Sequence, residues 1–153
     1  MKIFRLEKSQ DLPITIEECW EFFSNPSNLK IITPDYMGFE IIDFEKTKMY
    51  AGQIIKYKVT PLLGLNMNWV TEISHVKKNS FFVDEQRFGP YKFWHHKHKF
   101  EIIENGIRVI DILDYSLPFG PIGKLFHPIL IKPKLEEIFN YRERKLIEIF
   151  GQI

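Results

Sequence analysis

The stretch that decides the fold runs from residue 93 to residue 117 and reads FWHHKHKFEIIENGIRVIDILDYSL. Apolar and polar residues alternate on both sides of Asn105-Gly106, and this dipeptide is the strongest hairpin signal in the chain. The stretch therefore predicts two long antiparallel strands joined by a tight turn. A two-residue turn at Asn105-Gly106 predicts these cross-strand pairs: Glu104 with Ile107, Ile102 with Val109, Phe100 with Asp111, His98 with Leu113, and His96 with Tyr115.

One face of this hairpin is predicted to be buried, because the other face of its first strand is rich in charge and carries Lys97, Lys99 and Glu101. The predicted buried face comprises Trp94, His96, His98, Phe100, Ile102, Val109, Asp111, Leu113, Tyr115 and Leu117. Two imidazoles, a carboxylate and a phenol are thus expected among apolar side chains. Diagonal neighbours on adjacent strands can touch, so Asp111 is expected within reach of His98.

A buried carboxylate is costly unless it is hydrogen-bonded, and three interpretations of these polar residues stay open. The first is a structural pair in which Asp111 accepts a hydrogen bond from an imidazole. The second is a cavity wall whose polar groups orient a largely apolar ligand. The third is general acid–base catalysis, with His96 or His98 as the base and Asp111 orienting it.

A metal site is a separate hypothesis, suggested by the segment His95-His96-Lys97-His98. Only positions two apart share a strand face, so His96 and His98 can converge, with Asp111 as a third ligand. The other histidines, His75 and His127, form no second pair. A structural histidine pair is therefore preferred, and neither a metal nor another cofactor is predicted.

The same alternating period extends upstream of the hairpin. Strands are predicted at 2–8, 39–44, 52–60, 65–73, 80–88, 92–103 and 107–117. Thr15 and Glu18 form a capping-box pattern that starts a helix, and Ser27 is expected to cap a second short helix that runs through Ile32.

The last thirty residues return to helical spacing, with Leu135, Ile138, Phe139, Leu146 and Ile149 on one side. Pro128 and Pro133 are expected to break or kink the first part of this helix. The sequence predicts a single α+β domain over 1–153. It comprises a curved, antiparallel, seven-stranded sheet around a long C-terminal helix, with two short helices after the first strand.

Composition excludes several classes of protein. Lys and Arg total 21 and Asp and Glu total 20, so the formal net charge is +1, whereas a general nucleic-acid binder needs excess positive charge. No apolar run approaches the roughly 20 residues of a membrane span, and the N-terminal residues lack a signal-peptide pattern. The one cysteine, Cys19, is interpreted as a packed thiol, and a cytoplasmic protein is predicted.

Aromatic residues make up 15% of the chain and must line a core, a cavity or an interface. Leu65, Met67, Trp69, Thr71 and Ile73 alternate along one strand and are expected to face inward with Ile55, Tyr57 and Val59. Gln86 suits either the inner wall or a solvated edge. Leu62, Leu63 and Leu65 are expected at a hairpin tip, and residues 142–145 (RERK) on a solvated helix face.

The order of elements resembles the START-like, helix-grip superfamily called SRPBCC. The local match is to a polyketide cyclase/dehydrase-like bacterial branch, sometimes labelled cell-division inhibitor or joined to epimerase-like domains. The residues that resemble it are Asn28-Leu29, Thr33-Pro34, residues 82–86 (FVDEQ), Gly89-Pro90-Tyr91, Trp94, His96, His98, Phe100, Asp111, Tyr115 and residues 117–123 (LPFGPIG). The resemblance implies a site for hydrophobic ligands between the sheet and the C-terminal helix. Some members of the superfamily are cyclases, and others are transport or interaction modules.

The preferred prediction is a binding protein for a small hydrophobic or amphipathic molecule, rather than an enzyme. The expected ligand-binding residues are Tyr57, Met67, Trp69, Gln86, Trp94, His96, His98, Asp111 and Tyr115. One alternative is a cyclase- or dehydratase-like enzyme that uses His96 or His98 with Asp111. The other is a protein-interaction module that uses the leucine tip and the outer face of the sheet.

Overall fold

Seven strands form one antiparallel sheet in the computed structural model, which describes residues 2–60 and 64–153. The strands are Phe4–Leu12 (β1), Glu40–Phe44 (β2), Gln53–Val59 (β3), Met67–Lys77 (β4), Phe81–Phe88 (β5), Phe93–Ile103 (β6) and Gly106–Ser116 (β7). Their spatial order is β1-β7-β6-β5-β4-β3-β2, so β2 to β7 form a meander and β1 pairs with the last strand. The predicted α+β fold class with seven antiparallel strands is confirmed.

The helices follow β1 and β7, as the sequence predicts. Helix α1 spans Ile16–Phe23 and begins with the predicted capping box between Thr15 and Glu18. The second short helix is a 3-10 turn over Pro26–Lys30, followed by another over Asp35–Met37. Its cap is the Asn25 side chain, which accepts a hydrogen bond from the Ser27 N–H, so the prediction of Ser27 as the cap is wrong.

The C-terminal helix is continuous but changes its winding. Helix α2 spans Gly120–Phe126, a π-helical turn spans His127–Ile131, and helix α3 spans Lys132–Phe150. Pro128 is the second residue of the π turn, and the Lys132 N–H bonds the His127 carbonyl five residues earlier. Pro133 is the second residue of α3 and has no N–H to donate to the preceding turn, which the change to π winding accommodates. The two prolines therefore give a local π turn rather than a break.

The register of the β6–β7 hairpin differs from the prediction by two residues. Ile103 pairs with Gly106, so Glu104 and Asn105 form the turn. The observed pairs are His98 with Asp111, His96 with Leu113, and Trp94 with Tyr115. A shift of two residues preserves each side chain's face, and the predicted faces are therefore correct except at Ile102, which is 75% exposed at the end of the strand.

Gly106 explains the different register. A Cβ at this position would lie 2.0 Å from the Leu12 carbonyl oxygen, because the end of β1 passes directly against the turn. Gly106 also has φ = +155°, which other residues rarely adopt. The glycine is thus required for a close approach to β1 rather than as a central residue of the turn.

Replacing Gly106 with alanine should lower the free energy of unfolding by about 2–3 kcal/mol, because the backbones must separate and the positive φ is strained. Gly52 is the matched control, since it has φ = +97° and its Cβ would contact nothing within 4 Å. Urea unfolding of Gly106→Ala and Gly52→Ala checks this. Equal losses in the two variants would mean that the approach to Leu12 is not important.

One stripe of α3 is buried against the sheet and comprises Leu135, Phe139, Arg142 and Leu146. Arg142 is only 8% exposed, so the prediction that residues 142–145 lie wholly on a solvated face is wrong. Ile149, predicted on the apolar side, is 42% exposed. Cys19 is buried in the core, and burial raises the pKa of its thiol to about 12, as expected for a packed cysteine.

Candidate functional site

A cavity of about 180 Å³ lies between the sheet and α3. Strands β3 and β4 contribute Tyr57 and Trp69 to its wall, and α3 contributes Leu135, Ile138 and Phe139. The remaining lining residues come chiefly from 22–39 and from the inner face of the sheet, and most of them are apolar. A dry cavity of about 150 Å³ holds benzene in another protein, so this space suits a compact molecule of one or two rings.

One part of the cavity wall is polar and comprises Asp84, His96 and His98. Asp84 on β5 pairs directly with His96 on β6, and His98 pairs directly with Asp111 on β7. All four side chains lie on the inner face of the sheet, because directly opposite residues on neighbouring strands share a face and His96 and His98 are two positions apart. Three adjacent strands therefore place one carboxylate on each side of two imidazoles, whose tilted rings have centroids 3.9 Å apart.

Each carboxylate contacts both imidazoles. Asp111 Oδ1 lies 2.9 Å from His96 Nε2 and 2.9 Å from His98 Nδ1. Asp84 Oδ2 lies 2.8 Å from His98 Nε2 and 3.4 Å from His96 Nδ1. The His98 Nδ1 contact is close but not aligned as a hydrogen bond, and no other described residue is placed to bond that nitrogen. We refer to Asp84, His96, His98 and Asp111 as the His–Asp cluster.

Two further side chains hold the His–Asp cluster in place. The Trp94 Nε1–H donates to Asp84 Oδ1 over 3.2 Å, which leaves Oδ2 for the imidazoles. Arg142 Nη1 lies 3.8 Å from Asp111 Oδ1, and its guanidinium packs over the Phe139 ring with its carbon 5.0 Å from the centroid. Helix α3 thus brings a buried positive charge to the carboxylate farther from the cavity.

Burial and mutual contact shift the four pKa values. Burial disfavours a charged His98, but the hydrogen bonds and charges of Asp111 and Asp84 outweigh it and raise the His98 pKa. In His96, burial and the charge of His98 lower the pKa despite the nearby carboxylates. Burial opposes ionised carboxylates too, yet the imidazoles hold the Asp84 pKa below its ordinary value and the Asp111 pKa well below it. The raised pKa favours the charged form of His98, which together with Arg142 balances the two carboxylates.

Five of the nine residues proposed from the sequence as ligand-binding line the cavity: Tyr57, Trp69, Trp94, His96 and His98. The Tyr57 hydroxyl donates to Thr71, a hydrogen bond within the wall.

The other four lie outside the lining. Gln86 is held by Tyr91, since its amide bonds the Tyr91 carbonyl at 2.6 Å and the Tyr91 N–H at 3.1 Å. Tyr115 hydrogen-bonds His127 Nε2 at 2.7 Å. Met67 is half-buried at the start of β4, and Asp111 lies behind the two histidines.

The sequence reasoning missed Asp84 and Arg142. Asp84 lies two positions after Phe82, which is buried, so the two side chains share one face of β5. This spacing was the available indication that Asp84 faces inward. The spacing of Arg142 from Leu135 and Phe139 placed it on the apolar stripe, but its charge suggested solvent.

The leucine tip is only partly described. Leu62 and Leu63 lie outside the described residues, and Leu65 is 63% exposed. A larger group of exposed apolar side chains lies on α2 and its flanks: Phe119, Ile122, Leu125, Phe126, Ile129 and Leu130. The sequence reasoning did not single out this surface.

Neither a protein-family model nor a curated protein matches the chain. Solved structures do match it over almost its full length. Protein CV1439 from Chromobacterium violaceum is 12% identical, with a TM-score of 0.69 and 100% of each chain covered. TTHA0849 from Thermus thermophilus is 17% identical, with a TM-score of 0.64 over 97% of this chain and 99% of its own.

A third similar structure, Ara h 8.0201, is 14% identical, with a TM-score of 0.62 over 96% of this chain and 99% of its own. At these identities the likeness shows the fold alone, and that fold is the helix grip, an antiparallel sheet with a long C-terminal helix. In the described part of the chain, no helix is both long and apolar enough to cross a membrane.

Proposed function

We propose that the protein binds a compact, mainly apolar molecule with one polar group in the cavity between the sheet and α3. The observation that supports this most is the composition of the cavity wall. Aromatic and aliphatic side chains enclose most of the space, and the His–Asp cluster supplies polar atoms at one part of it. Pockets of this kind use a few fixed polar groups to orient a ligand and apolar contacts to hold it.

The arrangement favours one orientation of the ligand. Its ring or short chain packs between Trp69 on the sheet and Phe139 on α3, both of which line the cavity. Its polar group faces Asp84, whose position is fixed by Trp94. A hydroxyl on the ligand can donate to this carboxylate, which compensates for the water that the hydroxyl loses on entering the cavity.

Two matched probes test the proposal: 2-naphthol and 2-methylnaphthalene, which have the same ring system and differ in the hydroxyl. Fluorescence titration should show saturable binding of 2-naphthol, and weaker binding of 2-methylnaphthalene by roughly tenfold, the value of one hydrogen bond of about 1.4 kcal/mol.

Filling the cavity from the helix side should abolish this binding. Ile138 lines the cavity and is only partly buried, so Ile138→Trp adds volume there with little disturbance of the core. Ile149→Trp is the control, because Ile149 lies on the same helix and is exposed. We expect Ile138→Trp to weaken 2-naphthol binding more than about tenfold and Ile149→Trp to leave it unchanged. Equal binding by both variants would rule out this cavity as the site.

Acid–base catalysis is a second candidate, favoured by one observation. His96 lines the cavity while its Nε2 is hydrogen-bonded to Asp111, which is the arrangement that orients a histidine base. Deuterium exchange at the acidic C–H positions of 2-tetralone, a compact two-ring ketone, tests it by mass spectrometry. Faster exchange in the wild type than in His96→Gln would support catalysis, and equal exchange would exclude this role for His96.

A further inference from the structure

When both imidazoles are neutral and direct their N–H groups to Asp111, this carboxylate determines where their free lone pairs point, so metal binding requires that His98 release its second proton. Its Oδ1 is 2.9 Å from His96 Nε2 and 2.9 Å from His98 Nδ1. When both of these nitrogens carry hydrogen, they face the same carboxylate oxygen. The lone pairs on His96 Nδ1 and His98 Nε2 are then directed to the opposite side, where Asp84 Oδ2 lies.

Three electron-pair donors thus converge on the cavity side of the cluster. Asp84 Oδ2, His96 Nδ1 and His98 Nε2 all lie within 4.8 Å of one another. Two lone pairs that face a carboxylate repel it unless a proton or a metal cation lies between them, and at this position a metal ion can replace the proton of the His98–Asp84 hydrogen bond. A divalent ion with bonds of about 2.0–2.2 Å requires donor separations of about 3.0–3.5 Å. The Asp84–His96 separation of 3.4 Å fits this range, and the Asp84–His98 separation of 2.8 Å needs a widening of a few tenths of an ångström.

The surroundings match those of a metal site. Histidine ligands of metals typically donate their second N–H to a carboxylate, and Asp111 is placed to accept from both rings. A metal ion on His98 Nε2 would fix the hydrogen on Nδ1, which lies 2.9 Å from Asp111 Oδ1 and needs a rotation of the ring to align with it as a hydrogen bond. Trp94 holds the other oxygen of Asp84 and so directs Oδ2 to the ion.

We propose that Asp84, His96 and His98 bind one divalent first-row transition-metal ion, such as Zn²⁺ or Co²⁺, with its open coordination position facing the cavity. The sequence pattern suggested Asp111 as the third ligand, but the structure places Asp111 behind the histidines and Asp84 on the cavity side. Two imidazoles and a carboxylate are a donor set that such ions accept. This site does not depend on the apolar ligand, so metal binding can be measured on the protein alone.

The net charge around the metal ion indicates which kind of ligand atom would occupy its open coordination position. With both histidines neutral, a divalent ion and Arg142 exceed the two carboxylates by one positive charge. One anionic oxygen on a ligand, such as a carboxylate or a phenolate, would balance this excess in a cavity whose wall is mainly apolar. The metal site therefore favours an acidic oxygen at the polar end of the ligand.

Titration of the EDTA-treated and then EDTA-free protein with Co²⁺ alone tests the site. We expect one ion per chain, with visible absorption bands from nitrogen-ligated cobalt, and displacement of Co²⁺ by Zn²⁺ with loss of colour. A wild-type protein that takes up no Co²⁺ at micromolar concentrations, or gives bands without nitrogen ligation, would overturn the proposal.

Variants assign the ligands. His98→Gln and Asp84→Asn should each weaken Co²⁺ binding more than about 100-fold, and Asp111→Asn by about 10–100-fold through the orientation of the imidazoles. His95→Gln is the matched control, because His95 lies on the same strand and its side chain is on the opposite face. Far-ultraviolet circular dichroism identifies variants that fail to fold. Co²⁺ binding that survives in folded Asp84→Asn, or that is lost in His95→Gln, would contradict this ligand set.

Discussion

Replacing Asp111 with alanine is expected to lower the free energy of unfolding by about 3–5 kcal/mol. Asp111 is only 6% exposed, and its carboxylate contacts His96, His98 and Arg142. Removing it leaves a buried guanidinium and two buried imidazoles without the carboxylate that they share. The loss of one partner from a buried ionic group costs far more than the pair contributes, because the remaining charge stays desolvated.

Asp114 provides the control for this prediction. It lies on the same strand, three residues away, and its carboxylate pairs with Arg5 on the solvent side at 2.7 and 2.8 Å. Because Arg5 is exposed, we expect Asp114→Ala to cost less than about 1 kcal/mol. Urea unfolding of both variants in the presence of EDTA separates the two cases. Similar losses in both would mean that the His–Asp cluster is not a tightly coupled buried group.

Acidification should produce the second large effect, a loss of about 3–5 kcal/mol of unfolding free energy between pH 5 and pH 2 in the presence of EDTA. The pKa values of Asp84 and Asp111 are lower in the folded protein than in the unfolded chain. At a pH between the folded and the unfolded pKa values of these carboxyl groups, the unfolded state binds more protons than the folded state. The stability contributed by both carboxylates is therefore complete above their unfolded pKa near 3.9 and is lost as pH falls through the folded values.

The histidines contribute opposite slopes at higher pH. His98, with a raised pKa, stabilises the fold fully below about pH 6.5, and this contribution is lost as pH rises through its folded pKa. His96, with a lowered pKa, stabilises the fold above about pH 6.5 and loses that contribution as pH falls. The two windows lie on opposite sides of about pH 6.5, so we expect a stability maximum near that pH and a separate, steeper loss below pH 4.

Urea midpoints measured at several pH values check these slopes. Asp111→Asn should be less stable at pH 7 and should lose less stability on acidification, because one of the two carboxylates no longer titrates. An unchanged acid slope in Asp111→Asn would show that carboxylates elsewhere determine the pH dependence.

The strand pattern was predictable because a period of two assigns every side chain to a face. The assignment of faces was correct even in the β6–β7 hairpin, where the predicted register differed by two residues, because a shift of two leaves every side chain on the same face. The register itself was not predictable from Asn105-Gly106. The conformation of Gly106 is governed by Leu12, which is far away in sequence.

The candidate site was predictable only in part. His96, His98 and Asp111 share one face of one hairpin, so local pairing brought them together. Asp84 belongs to the neighbouring strand, β5. Which of its side chains face inward depends on the geometry of the turn between β5 and β6. That turn is closed by the Gln86 amide on the Tyr91 backbone, a contact that sequence periodicity does not contain.

Arg142 illustrates a different limit. Its position on the buried stripe of α3 follows from helical spacing, but a charged residue is buried only where a partner is present. That partner, Asp111, lies on β7 and meets α3 only in the folded protein. The burial of Arg142 therefore depends on tertiary structure rather than on the local pattern.

A crystal structure of the complex with 6-bromo-2-naphthol tests the central claim most directly, since the anomalous signal of bromine locates the ligand. We predict a bromine peak inside the cavity, with the rings between Trp69 and Phe139 and the hydroxyl within hydrogen-bond distance of the His–Asp cluster. Peaks confined to exposed apolar side chains such as those of 119–130, with none inside the cavity, would contradict the proposed function.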